Sequence, residues 1–125
     1  MTKILYVEDN DDNIFMLTRR LRRKGYEVLV ATDGAAGIEM ARVETPALVL
    51  MDLNLPVLDG WEATRRLKAA PETGNIPVIA LSAFAMAGDR DRALDAGCDD
   101  YVSKPIDFDL LHQKINSILT NGSAA

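Results

Sequence analysis

The stretch ALVLMDLNLP (47–56) decides how this chain is built. Residues 47–51 are apolar without alternation, the pattern of a strand covered on both faces. The run closes on the carboxylate of Asp52, directly before LNLP. A lone charge at the end of such a strand is costly unless something pairs with it. Working outward, three other short apolar runs end the same way. KILYV (3–7) precedes Glu8 and Asp9, VIAL (78–81) precedes Ser82, and the short YVS (101–103) precedes Lys104. Polar groups confined to strand ends point to one site assembled from distant parts of the chain.

Strand-like and helix-like segments alternate five times. Strands are predicted at about 3–8, 26–31, 47–52, 76–81 and 99–103, all short and rich in Val, Ile and Leu. The first helix, about 11–24, opens on Asn10, Asp11 and Asp12, which supply capping oxygens and negative charge. It carries Ile14, Leu17 and Leu21 as an apolar stripe and ends at Gly25. The second helix, about 34–43, turns Ile38 and Ala41 inward. The third starts at Asp59, with Glu62 placed for a capping box, and stops before Pro71. A fourth spans about 86–96 and stops at Gly97. The fifth begins at Asp107, buries Phe108, Leu111, Ile115 and Ile118, and is predicted to end at Gly122. The fold class is therefore α/β, with one open parallel sheet and right-handed crossovers. The chain reads as one domain over residues 1–121 with a flexible tail, 122–125. In such sheets ligands sit beyond the carboxyl ends of the strands, where strand order reverses.

Composition narrows the function. The chain has 125 residues, 48% apolar and 26% charged, with a formal charge of −5, so the basic footprint of a nucleic-acid binder is missing. The cluster RRLRRK (19–24) reads as the solvated last turns of a helix, where cations oppose the helix dipole favourably. Cys98 is the only cysteine, which excludes an internal disulfide and a zinc cluster and leaves a core residue. There is no secretory signal, and no apolar run approaches the ~18 residues of a membrane span. A cytoplasmic protein is the simplest expectation. Trp61 reads as a packing residue, and His112 is expected on the solvent side of the last helix.

Glu8, Asp9 and Asp52 would crowd three negative charges. At ~4 Å and an effective dielectric near 20, each like-charge pair costs about 4 kcal/mol. A hard divalent cation with oxygen ligands offsets this, and Mg²⁺ takes one or two carboxylates while keeping waters. Lys104 adds a second positive charge at the same edge. A cation, a lysine and the Ser82 hydroxyl around one carboxylate suit phosphoryl transfer, where the protein positions an in-line attack and neutralises oxygens. Asp52 would be the nucleophile, giving an acyl phosphate. Each residue alone has an ordinary reading as a strand-end cap, loop hydroxyl or surface lysine. Their joint placement favours the chemical one.

Glu8-Asp9, Asp52 followed by LNLPVLDG (53–60), Ser82-Ala83 and Lys104-Pro105 occur in an order and spacing that resemble the receiver domain of bacterial two-component response regulators, over residues 2–120. The resemblance implies a five-stranded parallel sheet in the order 2-1-3-4-5 flanked by five helices. It implies that Asp52 is the phosphoacceptor and that Asp9 is the main acidic ligand of Mg²⁺, with Glu8 helping and the backbone carbonyl of Asn54 as a third ligand. Lys104 would contact the phosphoryl group, Ser82 would be the switch hydroxyl, and Tyr101 the coupled aromatic. A cis Lys104-Pro105 bond is implied as well. The acidic pair is Glu-Asp where Asp-Asp is commoner, and the switch hydroxyl is Ser where Thr is commoner. Asn54 and Phe84 flank the site and bear on how long an acyl phosphate would last.

The implied partners are a sensor histidine kinase or a histidine phosphotransfer protein, together with a downstream protein target. A homodimer through the last two helices and the last strand is compatible with the pattern. The segment SAFAMAGD (82–89) resembles stand-alone receivers of the cell-cycle type and receivers of hybrid kinases. With no effector domain after residue 120, signalling by binding is expected, without nucleic-acid or membrane contact and without catalysis beyond the protein's own phosphorylation and dephosphorylation. Phe15 lies off the apolar stripe of its helix and is a candidate contact for the phosphodonor protein. A different class, a Mg²⁺-dependent phosphohydrolase using Asp52 as nucleophile, would want a second acid two positions on, where Asn54 stands, and a substrate cap. A third, an adaptor that has lost phosphorylation, conflicts with the intact set of Glu8, Asp9, Asp52, Ser82 and Lys104.

Overall fold

The computed structural model describes residues 2–55, 58–82 and 89–124. Strands β1 (Lys3–Val7), β2 (Glu27–Ala31), β3 (Leu48–Asp52), β4 (Val78–Ser82) and β5 (Asp100–Ser103) alternate with helices α1 (Asp11–Arg23), α2 (Gly34–Glu44), α3 (Gly60–Ala69), α4 (Asp89–Asp95) and α5 (Phe108–Ala124). All pairings are parallel, and the strand order is β2-β1-β3-β4-β5. Every residue of β3 and β4 is buried, because helices cover both faces.

Alternation along the strands divides the core into two layers. Leu5, Val7, Val49 and Met51 pack with Ala41, Ala63, Leu67 and Ala93 of α2, α3 and α4. Ile4, Tyr6, Leu48 and Leu50 pack with Leu17 and Leu21 of α1 and Leu111 and Ile115 of α5. Cys98 is buried, and burial pushes its thiol up to about 11, so it serves as packing.

The helix starts follow the capping residues. Asn10, Asp33 and Asp59 accept from the backbone N–H three residues on, at 2.9, 2.7 and 2.9 Å. Glu62 turns its carboxylate toward Arg65 and Arg66. Helix α1 ends in a Schellman turn: Gly25, at φ 93°, donates to the Arg22 carbonyl and Tyr26 donates to that of Leu21.

Several expectations shift. β4 spans 78–82 instead of 76–81, because its register is set by β3, with Val49 opposite Val78 and Asp52 opposite Leu81. α5 runs past Gly122 to Ala124, where the helix was expected to end at Gly122. One glycine costs about 1 kcal/mol in a helix, too little to end one by itself. His112 is half-buried, stacked on Phe108 and edge-on to Tyr26, where a solvent position was expected. The expected start of the fourth helix near 86, together with Pro56, Ala83, Phe84 and Ala125, lies outside the described residues. Among the described residues no helix is long and apolar enough to cross a membrane.

Strand order reverses between β1 and β3, which places the carboxyl ends of these two strands at the switch point. The start of α3 closes tightly on the same spot. A Cβ added to Gly60 would lie 2.2 Å from the Asp52 carbonyl oxygen and 2.7 Å from the Leu53 Cα.

Candidate functional site

Asp52 is the last residue of β3, and Glu8 and Asp9 follow directly after β1. Glu8 is 1% exposed and Asp52 3%, whereas Asp9 is exposed. One carboxylate oxygen from each lies within 4.8 Å of the others. Lys104 enters from just past β5, its N–H held by the Ser82 carbonyl at 2.6 Å, and its peptide bond to Pro105 is cis. The Lys104 ammonium is 2.8 Å from Glu8 Oε1 and 3.5 Å from Asp52 Oδ2. The crowding expected of three carboxylates is thus partly offset by one half-buried cation.

Glu8 has partners that no sequence pattern named. The Tyr6 hydroxyl and Asn13 Nδ2 donate to Oε1 at 3.2 and 3.3 Å. The N–H groups of Asp9 and Asn10 donate to Oε2 at 3.2 and 3.4 Å. Two signals were available: Tyr6 puts a hydroxyl in an otherwise aliphatic strand, and Asn13 stands one helical turn after Asp9. Asp52 Oδ1 accepts the Asn54 N–H at 3.1 Å.

These surroundings set the two buried carboxyls apart. Burial, then the hydrogen bond with Glu8, pushes Asp52 up to about 6, against the pull of the Asn54 amide and Lys104. Burial alone would raise Glu8 too. Hydrogen bonds from Asp52 and Lys104, with the lysine's charge and the Asn10 amide, outweigh it and hold Glu8 below the ordinary range. Of the two, Glu8 is the more readily ionised and Asp52 the more reluctant. The Tyr6 phenol, buried beside both, stays protonated.

Of the residues named from sequence, Glu8, Asp9, Asp52 and Lys104 come together as one cluster. Ser82 ends β4, one position beyond the partner of Asp52, and is buried. Asn54 is exposed next to the cluster. Tyr101, on β5, is half-buried against the layer formed by α2, α3 and α4. Phe15 is 66% exposed, which keeps it available to a partner. Trp61 packs against the core with the Arg92 guanidinium 4.4 Å over its ring.

Fold and site together define a flavodoxin-like domain with an acidic pocket at its switch point. The family model of the response regulator receiver domain matches residues 4–116, and the chain belongs to that family, whose members work in two-component signalling with histidine kinases and downstream targets. It is 41% identical over 120 residues to the polar-differentiation response regulator DivK of Brucella ovis, an alignment covering 95% of this chain and 98% of DivK. The receiver domain of sensor histidine kinase PA1611 from Pseudomonas aeruginosa superposes with a TM-score of 0.89 at 38% identity, over 95% of this chain and 98% of that one. That crystal structure has a magnesium ion coordinated in its active-site cleft. A putative response regulator from Chloroflexus aurantiacus superposes with a TM-score of 0.91 at 29% identity, over 95% and 98% of the two chains.

Proposed function

We propose that this receiver accepts a phosphoryl group onto Asp52 from a phosphohistidine of a sensor kinase or histidine phosphotransfer protein, and signals, as a DivK-like regulator, by the change in what it binds. The observation that carries this reading is a buried carboxylate at the switch point with Lys104 at 3.5 Å and two further acids within 4.8 Å. An Asp52 oxygen attacks phosphorus, the bond to the donor imidazole breaks, and its electron pair stays with the imidazole nitrogen. Lys104 stands where it can leave Glu8 and neutralise the incoming phosphoryl oxygens.

The donor set of Glu8, Asp9 and Asp52 offers only oxygen, and with the Asn54 carbonyl it fits a hard cation such as Mg²⁺. When bound, the ion would neutralise the crowded carboxylates and the transferring oxygens. Ser82, at the neighbouring strand end, supplies the hydroxyl that moves to the new phosphoryl group, and Tyr101 responds through β5. The protein works in the cytoplasm and turns over no other substrate. The absence of an acid two positions after Asp52 argues against a phosphohydrolase, as does the net charge of −5 against direct nucleic-acid binding.

Incubation with Mg²⁺ and acetyl phosphate tests the reading. The expected result is one labile phosphoryl mass increase that is absent in Asp52→Asn. Rapid multiple turnover of varied phosphoesters would favour the phosphohydrolase, and no labelling under any condition would leave the adaptor. Mg²⁺ should also raise the melting temperature of the wild type, by an amount equivalent to about 2.7 kcal/mol at a hundredfold excess over Kd. The same addition should move Asp52→Asn far less. Phe15→Ala should slow transfer from a protein phosphodonor and leave acetyl phosphate labelling unchanged. Equal slowing with both donors would remove Phe15 from the partner surface.

A further inference from the structure

The arginines of RRLRRK do more than close a helix. Arg19, Arg22 and Arg23 line one side of α1 with Phe15 and, with Val30 of β2, border an open cleft of about 720 Å³ on the flank away from α5 and Lys104. Among the described residues none of these three arginines forms a salt bridge; Arg22 meets only the Val28 carbonyl, at 3.3 Å. The chain as a whole carries −5, so a cationic patch left without carboxylate partners stands out against the rest. Phe15 adds an exposed ring at one end of it. Thr18, buried at the floor of the cleft, holds a hydroxyl without a hydrogen-bond partner.

We propose that this face of α1 docks an acidic segment of a partner protein, with carboxylates over Arg19, Arg22 and Arg23 and an apolar side chain against Phe15. Charge complementarity selects the occupant. Guanidinium groups pair bidentately with carboxylates, and Arg with an aromatic anchor is the composition of interface centres. A second copy docked symmetrically through α1 would set arginine cluster against arginine cluster. A nucleic acid would meet the Asp11 carboxylate at the rim and the net negative charge of the chain. The cleft is far roomier than a single small anion needs. The surface lies outside the Asp52 cluster, so docking there does not depend on the phosphoryl chemistry proposed above.

The test is an NMR titration of the ¹⁵N-labelled protein with a synthetic helix-forming peptide bearing Glu at helical spacing and one Leu, against the same peptide with Gln for Glu. Amide shifts confined to α1 and Val30 are expected with the Glu peptide only. Affinity should weaken several-fold between 50 and 300 mM salt. It should fall at least tenfold in Arg19→Glu/Arg23→Glu and less in Phe15→Ala, while acetyl phosphate labelling of the double variant stays at the wild-type level. Equal binding of the Gln peptide, or shifts spread over the whole surface, would overturn the proposal. So would self-association abolished by the double reversal, which favours a second copy. Stronger shifts of the same amides by an oligonucleotide or tripolyphosphate would favour a phosphate ligand instead. Should the double variant fail to fold, the comparison of Glu and Gln peptides on the wild type still decides.

Discussion

Metal-free Asp52→Asn is expected to be more stable than the wild type at pH 8, by about 2 kcal/mol, and to take no phosphoryl group. Burial and Glu8 raise the Asp52 carboxyl to about 6 in the folded protein, above its ordinary value near 4. Below pH ~4 the folded and unfolded forms both hold the proton, and nothing is lost. As pH rises from ~4 to ~6 the unfolded chain releases its proton first, so unfolding is favoured and stability drops, to stay low above pH 7. Asn at this position has no proton to release. The advantage of the variant should therefore be small at pH 4, grow through pH 6 and level off by pH 7.5. Glu8, held in the opposite direction by Lys104 and Asp52, keeps the gain below the full single-site value. Thermal melts in EDTA at pH 4.5 and pH 8 read the effect, which at pH 8 amounts to roughly 8 °C for a domain of this size. A variant that melts below the wild type at pH 8 would show that charge crowding does not govern this site.

Gly60→Ala should be strongly damaging, costing about 3 kcal/mol or more. The added Cβ meets the backbone of the Asp52–Leu53 segment, the Asp52 carbonyl oxygen at 2.2 Å and the Leu53 Cα at 2.7 Å, and neither atom is the end of a flexible side chain. Relief requires α3 to back away from the end of β3, which moves the carbonyl of the acceptor residue itself. Denaturant midpoints should fall steeply, and acetyl phosphate labelling of the fraction still folded should slow. Gly25→Ala is the control. Nothing lies within 4 Å of its Cβ, so only the positive φ is penalised, at about 1 kcal/mol. Equal losses at the two positions would mean that the junction of β3 and α3 yields easily.

The sheet was legible because a strand covered on both faces cannot carry a charge except at its end, so Glu8, Asp52, Ser82 and Lys104 marked where strands stop and where a site begins. The order of the strands was not legible from pattern alone and came with the family resemblance. What the pattern could not show was inequality within the acidic set. Adjacent in sequence, Glu8 is sealed under Tyr6, Asn13 and Lys104 while Asp9 faces solvent, a difference completed by Lys104, which is remote in the chain. His112 was misplaced for the same reason: its helical position is polar by sequence, but Tyr26 and Phe108 fold over it. Gly122 was read as the end of the last helix, although a single glycine is a weak terminator.

The stacking of Arg92 on Trp61 gives the molecule an optical handle. Trp61 is the only tryptophan in the chain, and it lies on α3 while the cation over its ring belongs to α4. Any rearrangement that lifts α4 from α3 must withdraw that guanidinium and change the surroundings of a single indole. The wild-type protein, without a dye or a tag, therefore carries its own spectroscopic record of whether those two helices remain together.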